Sequence, residues 1–148
     1  MEAHPVTARL ITEHAGIQPG AQTRIGVLFQ MEHGWHIYAQ DPGEAGLATS
    51  VVWSAPRGLT IGPLQWPTPR AFSDPGNIQT FGYEDTVVLS SALTLTSTAE
   101  GTVPIQAEVE WLACRDICIP GSATLTVDLP VTAALPAVSA DADRFQSR

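Results

Sequence analysis

The sequence predicts an all-β domain, specifically an immunoglobulin-like antiparallel β-sandwich, with an open jelly roll as the alternative architecture. Three observations carry that expectation. Apolar and polar residues alternate with period two along much of the chain, and long stretches of helical spacing are absent. The alternating runs are rich in β-branched residues, which suit a pleated, half-buried surface. Twelve prolines and twelve glycines punctuate them, as a set of short strands joined by turns requires.

The strands follow from the turn-formers between them. The first runs over 6–12, and Gln18-Pro19-Gly20 separates it from the second, over 24–31. A short strand over 36–38 is closed by Asp41-Pro42-Gly43, and another over 50–53 by Ala55-Pro56-Arg57-Gly58. After Asp74-Pro75-Gly76-Asn77 come strands over 86–90 and 92–96. The longest run, 105–114, is divided from the last, 123–129, by Ile119-Pro120-Gly121. Between 64 and 83 the pattern weakens: three prolines and no clean period read as a long irregular loop, of the kind that is functional or mobile in a compact domain. Residues 1–132 form the predicted domain, and 133–148, rich in Ala, Ser, Asp and Pro, read as a linker-like tail.

A chain of 148 residues is one domain's worth and buries a core without staples. It has no lysine, seven arginines and fifteen carboxylates, for a net charge of −8. A counterion-releasing grip on a phosphate backbone is therefore not expected, and nucleic acid is excluded as a partner. No apolar run approaches the roughly 20 residues that cross a bilayer, and Met1 to Pro5 lack the basic start and apolar stretch of a secretory signal. The chain reads as soluble, and as compatible with a domain excised from something longer.

The chemistry is concentrated in Trp111-Leu112-Ala113-Cys114-Arg115-Asp116-Ile117-Cys118-Ile119-Pro120-Gly121, which holds both cysteines. Along 105–113 the apolar residues share one face, and Glu108, Glu110 and Cys114 share the other. Fully extended, the two Cα atoms would lie about 13 Å apart, whereas a disulfide needs roughly 4.4–6.8 Å. Bridging therefore requires the chain to fold back through Arg115, Asp116 and Ile117. A staple across so small a ring stabilises by only about 2 kcal/mol in the chain-entropy model, against nearly 5 for a long loop. The spacing alone leaves a reactive pair, an inert bridge and two reduced core thiols all open.

A metal site would need more ligands. The histidines are His4, His14, His33 and His36, and on an extended strand His33 and His36 would point to opposite faces. They read as exposed or hydrogen-bonded structural residues, and no cofactor is expected. Trp35, Trp53, Trp66 and Trp111 read as core residues of a sandwich. Phe72, Phe81 and Tyr83 flank the irregular loop.

Five fragments in order resemble the amino-terminal periplasmic domain of the DsbD/ScsB family of thiol:disulfide interchange proteins. They are Gly34-Trp35-His36-Ile37-Tyr38; Asp41-Pro42-Gly43 with Gly46-Leu47; Gln65-Trp66-Pro67 with Pro69; Phe81-Gly82-Tyr83-Glu84; and Trp111-Leu112-Ala113-Cys114 with Cys118-Ile119-Pro120-Gly121. The resemblance spans roughly 23–131. It implies an exported domain in the bacterial periplasm whose catalytic residues are Cys114 and Cys118. Electrons would arrive from a membrane-embedded portion through a thioredoxin-like domain of the same full-length protein. They would leave to periplasmic thioredoxin-fold thiol proteins, including those that mature cytochrome c. The membrane would be reached only through the missing remainder of the chain. By this resemblance Cys118 bonds to the partner and Cys114 resolves. A cap over the sulfurs maps to 72–78, with Phe72, Asp74, Asn77, Phe81 and Tyr83 as cap or partner-contact candidates. Some members have five residues between their cysteines where this sequence has three. The rival reading is a non-catalytic β-sandwich module that binds copper or a protein partner and carries an inert disulfide.

Overall fold

Ten strands form two antiparallel sheets, which a computed structural model describes over residues 4–74, 76–96 and 101–145, the Asp74 side chain excepted. The first sheet has the order β1 (Val6–Thr12), β2 (Gln22–Met31), β8 (Thr86–Leu95), β5 (Leu59–Ile61). The second runs β10 (Cys118–Pro130), β9 (Thr102–Cys114), β3 (His36–Gly43), β7 (Ile78–Glu84), β6 (Arg70–Asp74). β4 (Ser50–Ser54) pairs with the far part of β9. This is the immunoglobulin-like sandwich, with a short 3-10 turn at Ala142–Phe145.

The inner faces meet as alternation requires. Val27, Phe29 and Leu89 of the first sheet pack on Ile37, Ala107, Val109 and Trp111 of the second. The Phe29 and Trp111 rings meet edge to face across the layer, with centroids 5.7 Å apart. Ile25, Leu93, Leu95, Ile105 and Leu129 form a second buried cluster toward the other end. Trp35 and Trp111 are buried, and Trp53 and Trp66 pack partly buried against the core, so all four tryptophans serve packing.

Three local readings are corrected. The strands expected at 86–90 and 92–96 are one strand, β8, because Ser90 and Ser91 continue the alternation and pair with Gly26 and Ile25. The irregular loop at 64–83 contains a β-hairpin: β6 pairs with β7 from Arg70↔Gly82 to Asp74↔Ile78. Gly76 and Asn77 turn it with φ of 89° and 64°. Its period was hidden because β6 is a short edge strand with little apolar content. Finally, Pro120 does not end an extended piece. β10 runs through it, because Cys114 and Cys118 face each other with Cα atoms 4.1 Å apart, the close spacing of a non-hydrogen-bonded pair. Pro120↔Leu112, two residues on, occupies the same kind of position, so its missing N–H removes no ladder bond. Gly121 faces Trp111, where a Cβ would run into the indole.

Residues 133–145 lie along the outer side of the first sheet. Ala15 N–H donates to Ala137 O, and Ser139 N–H donates to Glu13 O, each at 2.9 Å. Asp141 binds Arg9, and Phe145 is buried on Ile11, Leu28 and Val88.

Candidate functional site

The cysteines close the β9–β10 hairpin, and the backbone turn between them is held by Arg115 N–H donating to Ile117 O at 2.9 Å. They form an intramolecular disulfide. Its two sulfurs have unlike surroundings: Cys114 is 4 % exposed, whereas Cys118 is exposed on the edge strand. By parity both lie on the outer face of the second sheet, with Ala113 and Ile119 turned toward the core. An outer-face residue as buried as Cys114 must be covered by its neighbours.

The fragment Gly34-Trp35-His36-Ile37-Tyr38 supplies part of that cover. His36 is the cross-strand partner of Cys114 on one side and of Glu84 on the other. The register thus sets Glu84, His36, Cys114 and Cys118 in one transverse row over β7, β3, β9 and β10, all projecting to the same face. Gly34, with φ of 89°, passes beneath Arg115, and the Arg115 guanidinium carbon sits 5.1 Å from the centre of the Trp35 ring. Gly46, with φ of 87°, lets the 44–49 loop cross the Tyr38 ring, since a Cβ there would come within 2.6 Å of it. Tyr38 is consequently buried although it faces outward, and its hydroxyl lies 3.3 Å from His36 Nε2.

The β6–β7 hairpin covers His36. The Phe72 ring stacks on the imidazole, with centroids 4.4 Å apart and planes 15° from parallel, and the Arg70 guanidinium carbon lies 5.9 Å from the centre of the Phe72 ring. Arg70 also pairs with Glu84, which closes the row at its β7 end.

Among the candidates read from sequence, Cys114, Cys118 and Phe72 are brought to this face. Asn77 is exposed at the hairpin tip, and the Asp74 side chain lies outside the described residues. Phe81 and Tyr83 turn the other way, toward the inter-sheet core. The Tyr83 hydroxyl donates to Pro67 O at 2.7 Å, and burial pushes its pKa up to about 12. His36, expected to be an exposed or hydrogen-bonded structural residue, is buried with its Nε2 beside the Tyr38 hydroxyl and lies in the same row as the cysteines. With Trp35 and Ile37 in the core, parity puts His36 on the outer face with Cys114.

The remaining histidines have structural partners or stand in solvent. His4 Nδ1 accepts from Val6 N–H, which leaves Nε2–H to donate to Pro120 O at 3.2 Å. His14 Nδ1 lies 2.7 Å from Thr23 Oγ1, and His33 is exposed in a turn. Among the described residues, no group of three His, Cys, Asp or Glu side chains is arranged to hold a metal ion. No described helix is long and apolar enough to cross a membrane.

The family model for the amino-terminal region of the thiol:disulfide interchange protein DsbD matches residues 7–130. Among solved structures, the fold is similar to the amino-terminal periplasmic domain of ScsB from Proteus mirabilis, with a TM-score of 0.67 and 23 % identity. That match covers 95 % of this chain and 51 % of the other, so this chain spans about half the length of the ScsB structure. The DsbD amino-terminal domain of Neisseria meningitidis in its reduced form aligns at a TM-score of 0.45 and 14 % identity, covering 86 % of this chain and 90 % of that one. No curated protein sequence matches.

Proposed function

This chain belongs to the family of DsbD amino-terminal thiol:disulfide interchange domains, and we propose that within it Cys114 and Cys118 relay electron pairs in the bacterial periplasm. The source in this reading is a thioredoxin-like domain of the same full-length protein, and the recipients are periplasmic thioredoxin-fold thiol proteins. The supporting observation is the asymmetry of the disulfide, with Cys118 exposed and Cys114 buried.

Thiol–disulfide exchange is an in-line attack of a thiolate on one sulfur of a disulfide, with the other sulfur leaving. An incoming reduced partner reaches Cys118 far more readily than Cys114. A bond then forms between the partner sulfur and Cys118, the Cys114–Cys118 bond breaks, and Cys114 departs as a thiolate that takes up a proton. The second partner thiolate displaces Cys118 and leaves the partner oxidised and this domain reduced. Delivery onward runs in reverse: Cys118 thiolate attacks the recipient's disulfide, and Cys114 attacks Cys118 to release the reduced recipient. Phe72 and the β6–β7 hairpin act as a cap over His36 and, through it, over the buried Cys114, keeping that sulfur from oxidants until a partner docks, while Cys118 stays open to attack.

A stabilising role does not account for the bridge. It joins residues already paired across a hairpin, where the entropic gain is about 2 kcal/mol in the chain-entropy model. The test is exchange itself. Oxidised domain is mixed with reduced thioredoxin, quenched in acid, alkylated in denaturant and weighed; two alkylated cysteines per domain, appearing within seconds, support the relay. A bridge that stays closed under excess reduced thioredoxin points to the binding module instead.

A further inference from the structure

The transverse row places a proton-carrying side chain beside the sulfur that most needs one. Cys114 is 4 % exposed, so water has little access to it when it leaves as a thiolate or sheds its proton to attack. A buried thiolate without a nearby proton donor or positive charge is costly. His36 is its direct cross-strand partner. Side chains so paired have Cβ atoms about 4.5–5.5 Å apart. His36 is itself 7 % exposed, fixed on one face by the Phe72 ring and set 3.3 Å from the Tyr38 hydroxyl by its Nε2.

We propose that His36 is the proton carrier for Cys114. During delivery, Cys118 is joined to the partner in a mixed disulfide and Cys114 is a thiol. The imidazole takes the Cys114 proton and the resulting thiolate attacks Cys118. The Cys114–Cys118 bond forms, the bond from Cys118 to the partner breaks, and the partner sulfur leaves as a thiolate that is protonated by water. Two electrons have passed to the partner, and His36 is left as imidazolium. In the opposite direction, imidazolium protonates Cys114 as that sulfur leaves.

The groups facing the imidazole suit this task. Glu84 flanks it from β7, with its carboxylate engaged by Arg70 of β6. Tyr38 lies beside it on β3, and Cys114 on β9. Arg115 and Asp116 of the cysteine turn are mutually close at 3.7 Å and exposed. An imidazole is the side chain that both takes up and returns a proton in the physiological range.

The proposal rests on the exchange reading, and one assay separates the two. Reduced domain is mixed with excess dithiobis(nitrobenzoic acid), a small aromatic disulfide. The first nitrothiolate released reports attack by Cys118, and the second reports resolution by Cys114; Cys114→Ser identifies the second phase by abolishing it. The His36→Gln variant should keep the first phase and slow the second at least about tenfold at neutral pH, a floor set below the roughly 10²–10⁴-fold that acid–base catalysis supplies. It should also erase an inflection in the imidazole range from the pH profile of the second phase. A second phase within twofold of wild type, with the inflection intact, overturns the assignment of His36 and leaves the exchange reading standing. Absence of both phases in the wild type defeats the exchange reading itself. If His36→Gln fails to fold, NMR titration of the reduced wild-type domain decides. Shared inflections in the His36 and Cys114 carbon shifts support the coupling, and independent titration overturns it.

Discussion

Replacing Phe72 by alanine removes the ring that stacks on His36, the contact on which the proposed cap depends, and the structure sets the size of the effect. The stacked pair, at 4.4 Å between centroids, contributes about 0.5–1.5 kcal/mol beyond buried area. The contact with Arg70 at 5.9 Å adds about 0.5 kcal/mol at an exposed site. Together they hold β6 against the sheet by roughly 1–2 kcal/mol, a factor of about 5–30 in the population that uncovers His36 and, beside it, Cys114. If small oxidants reach buried Cys114 through the open population, their rate at that sulfur scales with the open fraction. In a Cys118→Ser background, where only the buried sulfur can react, Phe72→Ala should therefore oxidise at Cys114 about tenfold faster than the Phe72 parent in dilute hydrogen peroxide, followed by timed alkylation and mass measurement. Phe72→Tyr, which keeps the ring, should oxidise at the parent rate in the same background. An unchanged rate in Phe72→Ala would show that the hairpin does not gate Cys114, and the cap assignment would fall.

Tyr83 supplies an alkaline prediction. Its folded pKa is raised by burial to about 12, so the stability it contributes is complete below its ordinary value near 10 and is lost between there and 12. Denaturant midpoints should fall steeply over that window in the wild type. In Tyr83→Phe they should fall less, from a neutral-pH stability lowered by about 1 kcal/mol for the lost bond to Pro67 O. At the acid end, Arg9 and Arg144 hold the Asp141 carboxyl below the usual range, opposed in part by desolvation. That contribution is present above the ordinary carboxylate pKa and disappears as pH falls through the lowered one. Limited proteolysis of 133–145 should rise in that acid window, and Asp141→Asn should show the same susceptibility at pH 7. Gly46→Ala combines a φ of 87° with a Cβ only 2.6 Å from the Tyr38 ring. It should cost about 1–3 kcal/mol by thermal melting, and an unaltered melting temperature would mean that the 44–49 loop does not rest on Tyr38 in solution.

Much of the frame was legible because period two is a strong signal wherever one face is buried. β1 matches its predicted span, and β9 and β10 differ mainly at their ends. Reading failed where the local signal is about something other than the strand. Pro120 looks like a terminator, yet a proline at a non-hydrogen-bonded edge position costs the ladder nothing, and that position is fixed only once the Cys114↔Cys118 register is known. Arg70–Asp74 is a polar edge strand, and its pairing with β7 is a long-range fact that composition does not encode. At the site, the cysteine spacing gave the turn, since bridging forces the chain back on itself. His36 needed the pairing of β3 with β9, made through a single register pair, before it became Cys114's neighbour. Phe81 and Tyr83 looked like cap residues beside an irregular loop, and hairpin parity sends both to the core.

The most direct test of the relay is to trap its intermediate. Each cysteine is changed to serine in turn, and the variant is incubated with a thioredoxin whose resolving cysteine has been removed and whose remaining thiol has been activated as a nitrobenzoate mixed disulfide. The products are separated on non-reducing gels. With Cys118 exposed and Cys114 4 % exposed, Cys114→Ser should give a stable cross-linked species in high yield, and Cys118→Ser should give little. Reversed yields would contradict the assignment of the two sulfurs. No cross-link from either variant would contradict the relay.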